Sequence, residues 1–160
     1  MELVGVRVEL PSNSPIVLLK EQTGTERLLP IFIGGPEAQA IALALDEIEP
    51  PRPMTHDLMK QILGTLSVQL ERVVITDLRD KTFYAELHLV QNGTSHTISS
   101  RPSDAVALAV RTETPVFATE SVLEAAGYLA DDDDEETEDE EVLEQFREFI
   151  DNINPEDFES

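Results

Sequence analysis

The sequence predicts an α+β domain, and three observations carry that prediction. Strand-like and helix-like segments fall in groups rather than in strict alternation, which disfavours a doubly wound parallel sheet. Several segments alternate apolar and polar residues with a high content of Val, Ile and Thr, the mark of half-buried strands. The chain of 160 residues is long enough to bury a core without staples, and it has no cysteine to supply one.

In chain order, residues 2–10 alternate and read as a strand, and Pro11 to Pro15 is a cluster of turn formers. Residues 16–20 and 27–33 form the arms of a hairpin around Thr23-Gly24. Gly34-Gly35-Pro36-Glu37 then opens a helix, with Pro in the first turn and Glu37 matched to the positive end of the dipole. That helix ends before Pro50-Pro51. A second follows Pro53, with Thr55 as cap, Leu58, Met59, Ile62 and Leu63 turned inward, and Gly64 as its stop. Strands return over 68–78, 83–90 and 94–99, the last two joined by Asn92-Gly93, a strong hairpin signal. An alanine-rich third helix runs from about Ser103 to Val110. A short strand at 116–118 and a short helix at 121–126, closed by Gly127, complete the body.

Charge divides the chain. Residues 131–160 hold 16 Asp/Glu against one Arg, whereas residues 1–130 hold 17 against 10 Lys/Arg. The organisation expected is a body over 1–129, a disordered acidic linker over 130–141, an amphipathic helix over 142–154 and a tail over 155–160. Val142, Leu143, Phe146, Phe149, Ile150 and Ile153 fall on one helical stripe, which needs a docking surface on this body, a neighbouring subunit or a partner. No apolar run approaches the roughly 20 residues of a membrane span. The first residues form a strand pattern rather than a leader, so a cytoplasmic protein with no membrane partner is expected.

The mildly acidic body argues against charge-driven binding to duplex DNA, but not against chemistry that uses a few arginines and a cation. Phosphate-binding Gly-Lys-Ser/Thr loops, His-Glu-x-x-His and nucleophile elbows are all missing. Two Arg-Pro helix starts remain. In Arg52-Pro53-Met54-Thr55-His56-Asp57, prolines stiffen the approach to a first turn that carries a base and a carboxylate. Arg101-Pro102-Ser103-Asp104 repeats the pattern with a hydroxyl and a carboxylate. Local explanations exist for each: Asp57 and Asp104 complement helix dipoles, Ser103 is a cap, and His56 is an exposed first-turn residue. Neither explains why both helices are preceded by Arg-Pro. Brought together, these groups suit phosphodiester chemistry, with arginines on phosphate and carboxylates on a divalent cation. His88 and His96 read as sheet residues, Asp77 and Asp80 as turn residues. Phe83 and Tyr84 face opposite ways and make no stacking platform.

Ile31-Phe32-Ile33-Gly34-Gly35-Pro36-Glu37-Ala38, Pro51-Arg52-Pro53-Met54-Thr55-His56-Asp57-Leu58, Phe83-Tyr84-Ala85 and Ser100-Arg101-Pro102-Ser103-Asp104-Ala105-Val106-Ala107-Leu108-Ala109 resemble the bifunctional nuclease domain family, in order and at its spacing, from about residue 2 to 128. The resemblance implies mixed, strongly coiled β-sheets with three to four helices in one domain, nuclease activity on DNA and RNA, and a homo-oligomer. One departure is Ser99-Ser100, where the family pattern sets a small residue beside an acidic one; a carboxylate that could ligate metal is lost.

Two functions follow as expectations. The first is a nuclease of low sequence specificity that depends on Mg²⁺ or Mn²⁺. In it Glu37, Asp57 and Asp104 are metal ligands, His56, Asp57 and Asp104 carry the catalysis, and Arg52 and Arg101 hold substrate phosphate. The second is a non-enzymatic oligomeric regulator whose acidic tail and terminal helix bind a protein partner.

Overall fold

A computed structural model describes residues 1–9 and 13–129. The expected linker, terminal helix and tail therefore lie outside the described residues. Within them the chain is one α+β domain with two sheets and four helices.

The first sheet is an antiparallel meander of β1 (Glu2–Glu9), β2 (Ser14–Lys20) and β3 (Leu28–Phe32), in the order β1-β2-β3. Gly5, at φ 158, lies where the β1–β2 register shifts after Leu3. β2 begins earlier than its proline-rich approach suggested, because Ser14 and Pro15 still pair with Glu9 and Val8. Pro15 does not break the ladder, since its missing donor costs nothing where its carbonyl serves: Ile33 N–H donates to Pro15 O at 2.9 Å.

The second sheet has the order β6-β5-β4-β7. β4 (Val68–Arg79), β5 (Thr82–Gln91) and β6 (Thr94–Ser100) are antiparallel neighbours. Both hairpins turn on residues with positive φ, Asp80-Lys81 at 48 and 61 and Asn92-Gly93 at 51 and 78, the geometry that follows the right-handed strand twist. β7 (Val116–Ala118) lies parallel to β4 on its other side. Leu70, Val73, Ile75, Ala85, Leu87 and Leu89 are buried on the helix-bearing face of this sheet.

Helices cover that face and join it to the first sheet. α3 (Pro102–Thr112) is the central one, with every residue from Ala105 to Ala109 buried. Its alanines let α1 (Gly35–Leu45), itself buried at Ala38, Ala40, Ile41 and Ala42, approach closely. α2 (Thr55–Thr65) packs on α3 and β4. α4 (Glu120–Ala126) packs on β4 and β3, and beyond it Tyr128 pairs with Leu28, joining the end of the body to the first sheet. The Met1 amino group donates to Val116 O at 2.8 Å, a further tie between the two sheets. No helix among the described residues is long and apolar enough to cross a membrane.

α2 differs from its sequence reading in three ways. Met54 rather than Thr55 is the cap residue, and the Asp57 carboxylate accepts the Met54 N–H at 2.9 Å. The helix runs through Gly64 to Thr65, with the reversal supplied by Ser67 at φ 55. Of the four residues expected to point inward, Met59 and Leu63 pack on the core, whereas Leu58 and Ile62 are about half exposed. The inward stripe is narrower than the apolar one because His56 occupies part of it.

Candidate active site

Three helix N-termini meet at one end of α3. Arg101 caps α3 with extended backbone (φ −71, ψ 144), and Pro102 occupies the first helical position, where no N–H is needed. Asp104, in the same first turn, accepts from Arg101 at both oxygens, Nε to Oδ2 at 2.6 Å and a terminal nitrogen to Oδ1 at 3.0 Å. That terminal nitrogen also donates to Glu37 Oε1 at 2.7 Å, bringing in the first turn of α1. His56, in the first turn of α2, lies with Nε2 3.1 Å from Asp104 Oδ1. The four residues form one chain of contacts: Glu37, Arg101, Asp104, His56.

The environments of the four differ. His56 is 6% exposed, which corrects its reading as an open first-turn residue; Arg101 is the exposed member, its side chain 65% accessible. Burial pushes the Asp104 carboxyl up, but hydrogen bonds from Arg101 and His56 outweigh it, and the carboxyl sits below the usual carboxylate range. Arg101 is held more firmly cationic than a free guanidinium, first by Asp104 and then by Glu37. An ionised Asp104 can only accept, so the imidazole donates its Nε2–H, which in the uncharged ring leaves the lone pair on Nδ1. No fully buried side-chain nitrogen or oxygen among the described residues lacks a partner, so Nδ1, which has none among those residues, is not fully buried. The arrangement is a histidine fixed in one tautomer by a carboxylate that is itself clamped by an arginine.

Glu37 is positioned by the turn before it. A methyl group at Gly34 would collide with Glu37 Oε2, so the glycine leaves room for the carboxylate to fold back over the start of α1. The N–H groups of each first turn have no intrahelical acceptor, and the three N-termini together present positive dipole ends beside the Arg101 guanidinium.

The remaining candidates lie elsewhere. Asp57 turns to the other flank of α2, where its Oδ1 accepts from Arg111 Nε at 2.5 Å and its Oδ2 from the Met54 N–H. Burial raises its carboxyl, the bonds from Arg111 and Met54 lower it further, and the net position is below the ordinary range. Arg52 is exposed and has no ion-pair partner among the described residues. Ser103 is buried and makes no capping bond. Ser100 donates to the Arg101 carbonyl at 3.0 Å.

Sequence reasoning missed Arg111, the buried partner of Asp57. Its distance of 54 residues from Asp57 gives no local signal, but its position two turns after Asp104 sets it on the same side of α3. As placed, the carboxylates do not form a cation site: Arg101 stands between Glu37 and Asp104, and both Asp57 oxygens are taken. No group of three or more His, Cys, Asp or Glu among the described residues is arranged to hold a metal ion.

Comparison with known proteins places these elements in context. The model of the bifunctional nuclease domain matches residues 17–131. An uncharacterized protein of Mycobacterium tuberculosis is 45% identical, over 100% of this chain and 98% of its own length. Bifunctional nuclease 2 of Arabidopsis thaliana is 29% identical over 67% of this chain, and bifunctional nuclease 2 of Oryza sativa subsp. japonica is 28% identical over 70%. This chain spans about a third of each plant protein, 34% and 35%.

Proposed function

Because the chain belongs to the bifunctional nuclease domain family, we propose that it is a nuclease whose reaction centre is the cluster of His56, Asp104, Arg101 and Glu37. The observation that carries the reading is the His56–Asp104 pair, clamped by Arg101 where three helix N-termini meet. His56 acts as general base through Nδ1, taking the proton of the attacking water or of a ribose 2′-hydroxyl. Asp104 holds the tautomer and stabilises the imidazolium that forms. Arg101, the exposed cation, exchanges carboxylate oxygens for phosphate oxygens of the substrate and neutralises charge as it builds up. Arg52, exposed and unpaired among the described residues, meets the phosphate chain further along.

The substrates are DNA and RNA with low sequence preference, since contacts of this kind read phosphate rather than bases. A requirement for Mg²⁺ or Mn²⁺ belongs to the proposal on charge alone: two carboxylates outnumber one guanidinium at the cluster, and a polyanion needs further neutralisation there. No step is assigned to the cation. Self-assembly into a homo-oligomer and a cytoplasmic location are further parts of the proposal.

The test is degradation of single-stranded DNA and RNA, with Mg²⁺, with Mn²⁺ and with chelator, by the wild-type chain and by Asp104→Ala. Cleavage that needs the cation and falls with Asp104→Ala supports the reading. Cleavage unaffected by the substitution places the activity at another site or in a contaminant.

A second reading, a non-enzymatic interaction protein, is favoured by one observation: Arg101 already satisfies two carboxylates, so no cation in the cluster stands ready for phosphate. Specific binding of a protein partner by a chain that cleaves neither nucleic acid supports that alternative.

A further inference from the structure

Hydrolysis of a phosphodiester and its cleavage by a neighbouring hydroxyl make different demands on a site. Hydrolysis needs a water molecule that is bound, oriented and deprotonated, a task that a coordinated divalent cation performs by lowering the pKa of its water ligand. RNA carries its own nucleophile. The ribose 2′-hydroxyl is covalently attached beside the phosphorus, and only its proton has to be removed. Attachment of this kind is equivalent to an effective concentration of about 10⁵–10⁸ M. A general base by itself contributes roughly 10²–10⁴-fold. The larger factor therefore arrives with the substrate, and a site that has a base but nothing to fix a water gains most from it.

The cluster is such a site. Its base is one imidazole, with Nε2 of His56 committed to Asp104 Oδ1 at 3.1 Å and Nδ1 without a partner among the described residues. The carboxylates that would anchor a cation and its water are engaged within the protein. Glu37 Oε1 and both Asp104 oxygens accept from Arg101, and the two Asp57 oxygens accept from Arg111 and the Met54 N–H. No second imidazole joins the cluster. His88 alternates with buried Leu87 and Leu89, which turns it to the sheet face away from the helices, and it lies 3.3 Å from Glu86 there. His96 stands five residues before Arg101 along extended chain, roughly 16 Å away. What the cluster does offer a phosphate is the accessible Arg101 guanidinium.

We propose that this site cleaves RNA by transesterification rather than by hydrolysis, leaving a 2′,3′-cyclic phosphate on one fragment and a free 5′-hydroxyl on the other. This specifies the nuclease reading above for RNA and rests on it. His56 Nδ1 takes the proton of the 2′-hydroxyl as the 2′-oxygen bonds to phosphorus. The bond from phosphorus to the 5′-oxygen breaks, and that oxygen leaves with the electron pair and is protonated by water. The proton released by His56 neutralises the hydroxide so formed, and nothing is oxidised or reduced. Asp104 stabilises the imidazolium meanwhile, and Arg101 meets the charge on the non-bridging oxygens. A divalent cation that neutralises the polyanion leaves this choice of nucleophile unchanged.

The test uses the full chain and a 5′-labelled DNA strand that contains one ribonucleotide, in buffer with Mg²⁺. Gel analysis gives the cut positions, and mass spectrometry of the earliest products identifies the ends, a cyclic phosphate being one water lighter than a linear one. Cleavage after the ribonucleotide is expected to be at least about 10²-fold faster than at any deoxyribonucleotide, because only that position has the attached nucleophile. The ends are expected to be a 2′,3′-cyclic phosphate and a 5′-hydroxyl, and His56→Ala is expected to slow their formation by about 10²–10⁴-fold. His56-dependent cleavage that leaves a 5′-phosphate or an initial linear phosphate, or that cuts ribose and deoxyribose positions at equal rates, overturns the inference and leaves the nuclease reading standing. Absence of cleavage, or cyclic ends formed as fast by His56→Ala as by wild type, overturns both.

Discussion

At the residue scale, two adjacent side chains divide the labour. His56 and Asp57 share one first turn, yet one is drawn into the Asp104 cluster and the other into an ion pair with Arg111. One helical position turns a side chain by about 100°, which separates the residue proposed as general base from one held in an ion pair. Glu37 shows how a neighbouring glycine sets a carboxylate. Gly34→Ala is expected to leave the fold intact, because the colliding atom is the end of a flexible side chain. Its stability loss is expected to stay below about 1 kcal/mol by urea titration. The Glu37 carboxylate must swing away, however, releasing Arg101 from one of its two anchors. Nuclease activity should change several-fold while the melting temperature barely moves; equal losses in both would show that Gly34 serves the fold alone.

At the scale of elements, α2 is held to α3 by one clasp at each flank, His56–Asp104 and Asp57–Arg111. The Arg111 side chain is nearly buried, and it also donates to the Ala107 carbonyl at 2.9 Å. Arg111→Met leaves the Asp57 carboxylate without its cation and is expected to cost about 3 kcal/mol, read from the shift of the urea midpoint. The same clasps fix the pH response. Both aspartates titrate lower in the folded than in the unfolded chain. Their contribution is therefore complete above the unfolded carboxylate value near 4 and is lost as pH falls through the lower folded values. Urea midpoints should stay flat from pH 7 to about pH 5 and drop below pH 4. Asp57→Asn should flatten the drop; an unchanged slope would remove Asp57 from the acid response.

The elements themselves were legible because their signals are local. Asn92-Gly93 demanded a two-residue turn, Pro102 a helix start, and the alanines of α3 a close-packed interior helix. The pairing of Glu37, Arg101, Asp104 and His56 was anticipated only as an assumption of convergence, since it joins residues up to 64 positions apart. The split of His56 from Asp57 was not legible. Local capping chemistry is the same whichever flank faces α3, and the choice depends on Arg111, which no nearby residue betrays. The inward stripe of α2 was overestimated for a related reason: a buried histidine takes core space that an apolar pattern assigns to Leu58 and Ile62.

At the scale of the whole molecule, the two sheets and α3 form a rigid frame that presents three helix N-termini to one point. Charge is divided unevenly along the chain: residues 1–130 hold 17 Asp/Glu against 10 Lys/Arg, and residues 131–160 hold 16 against one Arg. A nucleic acid must approach over this pattern, so binding is expected to weaken as ionic strength falls wherever repulsion by the acidic segment dominates. It is expected to weaken as ionic strength rises wherever arginine–phosphate contacts dominate. The central claim, that the cluster and not its neighbour performs the chemistry, is tested most directly by comparing kcat/KM on single-stranded RNA for wild type, His56→Ala and Asp57→Ala, each corrected for folded fraction. The expected result is a loss of about 10²–10⁴-fold for His56→Ala and a change within several-fold for Asp57→Ala. Full activity in His56→Ala, or a greater loss in Asp57→Ala, would contradict it.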